Sequence, residues 1–246
     1  MEKKEYEKLY GLENSYWWFK ARRRLVERTV KSYSEHIDGD IKILDVGCGT
    51  GGVLSMLSRY GNSFGVDVSP EAINYCKKRK LNNIKIGTAE KLPFPDNTFS
   101  IVVCLDVLYH KGIKNDTTAL KEIHRVLRRD GVLILTDSAN KTLWSRHDIS
   151  AHARTRYSKN EINDKLTKCG FIILKLSYYN FFLFPLVYFF RKFDNATNKN
   201  KNIETNVKEI NPVINFFLYK ILLFEGWLLR YINFPFGVSI FCVAKK

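Results

Sequence analysis

The chain has 246 residues, 45% hydrophobic and 26% charged, which is ordinary for a globular protein and allows one domain with an insertion. Five cysteines at 48, 76, 104, 169 and 242 form no CxxC pair, which speaks against a disulfide framework or a zinc site and for a reducing cytoplasm. The charged first ten residues lack the apolar core of a signal peptide, and without about eighteen uninterrupted apolar residues a simple membrane span is not expected. The formal charge of +15 suits a nucleic acid or an anionic membrane, and equally a lysine-rich proteome.

In chain order, residues 1–40 read as helical, with aromatics ahead of a basic helix in "YWWFKARRR" (16–24). A buried strand from Ile41 to Val46 runs into a glycine-rich turn, and a short helix follows that Gly61 closes. "SFGVDVS" (63–69) is a second strand, and the next helix starts with Ser69 as N-cap and Pro70 at its first position. "NIKIGTAE" (83–90) and "FSIVVCLDVLYH" (99–110) make strands three and four. Residues 115–131 form an amphipathic helix with Leu120, Ile123, Val126 and Leu127 on one face, and "GVLILTD" (131–137) is strand five. After "WSRHDISAHARTRY" (144–157), which reads as neither helix nor strand, come a helix (158–170), a strand (171–179) and a last strand-like run (237–246). The expected fold is α/β: a doubly wound, Rossmann-like seven-stranded sheet, mostly parallel with the last strand antiparallel. It forms a single domain. Residues 1–40 are a helical lid, 41–180 the cofactor-binding core, 181–236 an apolar helical insertion and 237–246 the final strand.

The chemistry starts at "LDVGCGTG" (44–51), an Asp-x-Gly-x-Gly-x-Gly turn after a strand. Glycines there let the backbone approach a bound nucleoside, and Asp67, ending the next strand, suits two ribose hydroxyls. Asp45 precedes the first glycine, where it would repel a pyrophosphate but suits a ligand bearing an ammonium group. Together "ILDVGCGTGG", "GVDVSPEAI", "GTAEKLPFPDNTFSIVVCLDVLYH" and "ALKEIHRVLRRDGVLILTD" resemble, in order, the successive motifs of the class I S-adenosylmethionine-dependent methyltransferases, over about residues 41–137. "YWWFKARRR", "LWSRHDISAHARTRY" and "INFPFGVSIFCVAKK" look like a type 11 subgroup with a Trp-Trp-Phe start.

That resemblance implies S-adenosylmethionine as cofactor, with S-adenosylhomocysteine as product. Asp45 would hold the methionine amino group, while Gly47, Cys48, Gly49 and Gly51 line the cofactor. Asp67 would bind ribose and Val68 touch adenine. Thr88, Ala89 and Glu90 match the adenine-contact turn, with Thr88 departing from the usual aspartate. Leu105 and Asp106 would lie beside the sulfonium. From the lid, Trp18 would fold over the cofactor and Arg22 pair with the methionine carboxylate.

Methyl transfer from a sulfonium is an in-line displacement that needs alignment in a dry pocket and no metal. Strand four ends without the Asn/Asp-Pro-Pro-Tyr pattern of enzymes that methylate exocyclic amines of bases, which counts against a nucleic-acid substrate. His147, Asp148 and His152 are then the expected base and its orienters, with His110 a further base or a loop tie. Arg154, Arg156, Tyr157, Trp144 and Tyr109 would bind the acceptor. The i, i+5 spacing of His147 and His152 does not suit a metal on one helix face. In the insertion, Asn215, Lys220, Glu225 and Arg230 are five apart, about 140° on a helix, so no polar face forms. Such a helix fits a dimer interface, the wall of an apolar acceptor pocket or an interfacial membrane contact. The expected activity is methyl transfer to an O or N of a small, partly apolar or lipid-linked acceptor, in a cytoplasmic, peripherally membrane-associated enzyme. The alternatives are an RNA-modifying methyltransferase using the basic surface and a non-catalytic cofactor-binding scaffold.

Overall fold

A computed structural model of the chain describes residues 3–197 and 210–246, so most of the polar stretch between the two apolar runs of the insertion lies outside the described residues. Seven strands form one sheet in the order β3-β2-β1-β4-β5-β7-β6. They are β1 (Lys42–Val46), β2 (Asn62–Asp67), β3 (Ile84–Ile86), β4 (Phe99–Leu105), β5 (Leu127–Ser138), β6 (Ile172–Tyr179) and β7 (Ser239–Lys245). All pair in parallel except β7, which lies antiparallel between β5 and β6. This is the expected sheet. Strand five starts earlier than its glycine suggested, because the chain is already extended from Leu127, where α5 (Asp116–Val126) ends.

Local chemistry sets the helix starts. Ser69 accepts the Ala72 amide ahead of Pro70 and caps α4 (Pro70–Lys78). Asn115 caps α5 through the Thr118 amide, and Ser158 with Glu161 forms a capping box on α7 (Lys159–Lys168). Each β-strand feeding a helix packs it back onto the sheet, which leaves two apolar layers. Leu120, Ile123 and Val126 of α5 join Ile162 and Leu166 of α7 on one face. On the other face lie Leu25, Val26 and Val30 of α2 (Trp17–Ser34), with Met56 and Leu57 of α3 (Gly52–Leu57).

The insertion forms two helices, α8 (Phe184–Thr197) and α9 (Pro212–Leu228). Helix α9 packs along α2, with Leu222 and Leu229 in the second apolar layer. Asn215, Lys220 and Glu225 do spread around the cylinder while Arg230 lies just beyond its end, and the inward two have tasks. Asn215 accepts the Trp17 amide at 2.8 Å and donates to the Ser15 carbonyl. Glu225, fully buried, accepts the amides of Phe181 and Phe182, and burial pushes its carboxyl up. Removing that acceptor strands buried amides, so Glu225→Ala should destabilise the fold by about 2 to 3 kcal/mol. A thermal melt indistinguishable from the parent's would contradict this role.

The sequence "WSRHDISAHARTRY", expected to be irregular, contains a short helix, α6 (Arg146–Ser150), held by a capping box between Ser145 and Asp148. A one-turn 3-10 helix, Lys141–Leu143, precedes it. No helix of the described residues is long and apolar enough to cross a membrane.

Candidate functional site

The strand order reverses between β1 and β4, and at that switch point the carboxyl ends of the strands open a crevice. The glycine turn forms one wall. Gly47 (φ 72°) and Gly49 (φ 52°) sit in the left-handed region, and a Cβ on Gly47 would lie 2.5 Å from Val107 Cγ2. The Cys48 side chain turns inward against Leu54 and Cys76, so only its backbone faces the crevice. Gly51, also left-handed, starts α3.

Two buried polar atoms at this turn lack a hydrogen-bond partner among the described residues: Asp45 Oδ2 and Arg22 Nε. Asp45 is 2% exposed, and burial, reinforced by Asp67 and Glu13 and opposed by Arg22, pushes its carboxyl up to about 8. Desolvation thus outweighs the nearby guanidinium, and the site lacks one positive charge. Arg22 pairs with Asp106, whose backbone is left-handed, and its guanidinium lies 5.9 Å from the Trp18 ring. Asp137, fully buried, keeps Oδ2 unpartnered, and burial with Asp106 pushes its carboxyl well up. Burial and the fields of Asp137, Asp45 and Asp106 also drive the Cys104 thiol up, which places all three carboxylates around the ends of β1, β4 and β5. A crevice with an orphan acceptor, an orphan donor and buried carboxyls that a nearby cation would ionise suits a ligand that is cationic and also carries an ammonium and a carboxylate.

Asp67 accepts the Gly49 amide at 2.9 Å and the Ser69 amide at 3.0 Å, and burial pushes its carboxyl up. Beside it Val68 is 62% exposed, an apolar side chain facing outward at the mouth of the crevice. Of the turn expected to touch adenine, Ala89 is buried and Thr88 exposed, while Glu90 accepts the amides of Lys114 and Asn115 and so ties down the start of α5. Leu105 is buried at the end of β4.

The helical lid closes differently from the expectation. Trp18 stacks on Tyr179 at 5.7 Å and packs on the core, so it serves as a wall. The helix that lies over the glycine turn is α1 (Lys3–Leu12), which the sequence reading did not single out. Leu9 comes within 3.9 Å of the place a Gly49 Cβ would take, and Glu13, just beyond α1, accepts the Thr50 hydroxyl and pairs with Arg79. Tyr6 lies against Ser69, and burial pushes its hydroxyl up to about 12. Tyr6, Leu9 and Glu13 follow i, i+3, i+7 spacing, a one-face signal that was present in the sequence.

The four residues expected to work as base and orienters are not brought together. Asp148, 2% exposed, receives Arg156 Nε at 2.7 Å and Arg191 Nη1 at 3.0 Å, besides the Ser145 amide. Arg156 donates further to the Ala139 and Val238 carbonyls, so it is a buried structural cation with no free side to offer an acceptor. His147 lines a cleft of about 220 Å³ with Phe190 and Arg191, and burial beside that arginine lowers it to about 4. His152, left-handed, points to the other side, 5.9 Å from the His110 ring and 3.8 Å from Glu5. His110 accepts the Gly112 amide through Nδ1, and burial lowers it to about 4, so it ties a loop as a neutral ring.

Arg154 and Tyr157 are likewise engaged. The Tyr157 hydroxyl donates to Asp116, and Arg154 donates to Asp116 and the Leu108 carbonyl, which pins the loop after β4 to α5. Trp144 lies at the surface, its carbonyl accepting from Asn195 of α8. Tyr109 packs against the first apolar layer, and burial with the fields of Asp106 and Asp137 raises its hydroxyl. Two further residues were missed. Tyr179, at the end of β6, is fully buried with an unpartnered hydroxyl, and the left-handed Asn180 beside it keeps its Oδ1 unpartnered. Their type alone could not single them out among 13 tyrosines.

Residues 44–135 match the family described as a methyltransferase domain. The chain is 33% identical over 113 residues to a demethylmenaquinone methyltransferase of Geobacillus stearothermophilus, covering 42% of this chain and 47% of that protein. It is 35% identical over 103 residues to a fatty-acid O-methyltransferase of Mycolicibacterium smegmatis, covering 39% and 37%. The matches span about half the length, or less, of these curated relatives. In fold, the chain is similar to a SAM-dependent methyltransferase from Thermotoga maritima, with TM-score 0.60 and 19% identity over 99% of this chain and 95% of that one. The sheet order, the turn at Asp45 and the matched segment agree: residues 44–135 match a methyltransferase domain, set in a fold similar to that of S-adenosylmethionine-dependent methyltransferases.

Proposed function

We propose that the protein transfers a methyl group from S-adenosylmethionine to an O or N of a small, partly apolar acceptor of amphiphilic or lipid-linked type. The observation that carries this is the complementary orphan pair. Asp45 Oδ2 lacks a donor and Arg22 Nε lacks an acceptor, and the Arg22 charge reaches the Asp45 carboxyl. An amino acid's ammonium and carboxylate answer both. Asp67 stands where a ribose would lie, and Val68 offers an apolar side chain for a base. S-adenosylmethionine bound there supplies an electrophilic methyl on a cationic sulfur.

The chain's own residues do the rest. Burial holds the Asp45 and Asp137 carboxyls towards their protonated forms in the free chain, and a bound sulfonium would favour their charged forms beside Asp106. Helix α1 and the Trp18–Tyr179 stack exclude water from above. On the acceptor side, Tyr109, Tyr179 and Asn180 present hydroxyl and amide groups in an otherwise apolar wall, which would fix the polar end of an acceptor. Asp106, already paired with Arg22, would take the proton from it. The apolar character of the acceptor is supported by the quinone and fatty-acid relatives, and transfer to oxygen by the fatty-acid O-methyltransferase.

The test is transfer of radiolabelled methyl to a panel of free fatty acids, phenols and quinols, with RNA as a separate arm. Label that partitions into organic solvent and depends on Asp106 supports the reading. Label in RNA alone, or no transfer to any acceptor, would overturn it.

A further inference from the structure

Helices α8 and α9 turn an apolar face away from the core. On α8, Leu186, Phe189, Phe190 and Phe193 follow i, i+3, i+4, i+7 spacing and are 48 to 70% exposed. On α9 and just beyond it, Val213, Phe216, Phe217, Phe224, Trp227 and Tyr231 repeat at helical spacing and are 45 to 68% exposed. The α9 stripe is continued by a run of ring contacts, from Phe182, just before α8, to Phe224 at 6.1 Å, Phe224 to Trp227 at 5.9 Å and Trp227 to Tyr231 at 5.4 Å. Soluble monomers rarely expose a continuous apolar face of this kind.

Beside the α9 stripe, a groove of about 320 Å³ runs between α2 and α9, lined by Lys20, Arg23, Arg24, Arg28, Glu27 and, from α9, Tyr219 and Leu223. Its single acid is already engaged by Arg24, Arg59 and the Tyr60 hydroxyl. The groove is therefore strongly cationic, next to a surface rich in phenylalanine that ends in Trp227 and Tyr231.

We propose that this side of the molecule docks on an anionic phospholipid bilayer, with the α8 and α9 rings at the acyl boundary and the α2 groove on lipid phosphates. Two features select a bilayer over a second copy of the chain. Lipid phosphates answer the charge of the groove, whereas a second copy of a chain with formal net charge +15 brings further positive charge to it. Lys220 sits in the middle of the α9 stripe, with its ammonium 5.2 Å from the Phe216 ring. In a dimer that charge would be buried against its own copy, whereas at a bilayer it reaches headgroups along its apolar stem. Tryptophan and tyrosine at the edge of the stripe suit the wet side of the boundary.

The experiment is co-sedimentation of the whole chain with vesicles of phosphatidylcholine, with and without phosphatidylglycerol, at low and high salt. The parent should bind the phosphatidylglycerol vesicles and lose affinity with salt. Phe217→Ser/Phe224→Ser should weaken binding about tenfold or more, and Lys20→Glu/Arg28→Glu should abolish the preference for phosphatidylglycerol. Brominated acyl chains should quench the parent's fluorescence, and Trp227→Phe, a mild change, should remove that quenching. Absence of vesicle binding, or variants that bind like the parent, would overturn the proposal. So would a dimer in sedimentation equilibrium that the Phe217/Phe224 variant dissolves, with no vesicle binding. No arm measures methyl transfer, so failure here leaves the methyltransferase reading standing, and the reverse also holds.

Discussion

Asp45→Asn should weaken S-adenosylmethionine binding by about 2 to 3 kcal/mol, roughly 30- to 150-fold in Kd by calorimetry. The side chain is buried, its Oδ2 has no partner, and its charge is disfavoured until a cation arrives. The asparagine keeps the shape and loses the charge. Stability should move the opposite way. The carboxyl rises from 3.8 to about 8 on folding, so the folded chain holds that proton more tightly than the unfolded chain. The parent therefore loses stability relative to Asp45→Asn as pH rises from about 4 to about 8, and below pH 4 this group makes no difference. Melting curves of the ligand-free proteins should diverge over that window, with Asp45→Asn the more stable at its upper end. Cofactor affinity of the parent should rise between pH 6 and 8, because binding needs the ionised carboxylate, and that of Asp45→Asn should not. Equal affinities in parent and variant would remove Asp45 from the site.

Asp148→Ala should lower stability by about 3 to 5 kcal/mol, because it leaves Arg156 and Arg191 buried without their shared anion. For a chain of this length that is roughly 10 °C or more in melting temperature. The residual folded protein should bind S-adenosylmethionine like the parent, since Asp148 holds α6, α8 and the chain after β5 together and does not line the crevice. A variant with an unchanged melting temperature and lost turnover would instead restore the catalytic role that its position beside His147 suggested.

These two aspartates show where sequence reading reaches and where it stops. Asp45 was legible because its chemistry is local: a strand, a carboxylate and left-handed glycines follow one another, and the turn they make leaves few places for the carboxylate to point. Asp67 and Val68 were legible for the same reason at the end of the next strand. Asp148 was not. "RHDISAH" offers the residue types of a catalytic cluster, but the helix of α6 sends His147 toward α8 and the left-handed turn at His152 sends that ring toward His110. What decides its chemistry is Arg156, eight residues on, and Arg191, on a different helix.

The alternation of strands and helices, the glycine turn, and the helix caps at Ser69 and Ser158 determined the sheet and the place of the cofactor crevice by themselves. They could do so because hydrophobic periodicity and backbone sterics act over a few residues. Tertiary structure alone decided the rest. It brought α1 over the glycine turn, set Tyr179 and Asn180 beside Arg22's element, paired Asp148 with two arginines, and turned the aromatic stripes of α8 and α9 outward. Each of those outcomes depends on which distant charge or apolar face lies nearest after packing. Burial and ion pairing are properties of proximity in space, and the order of residues along the chain carries them only where that order is also the order in space.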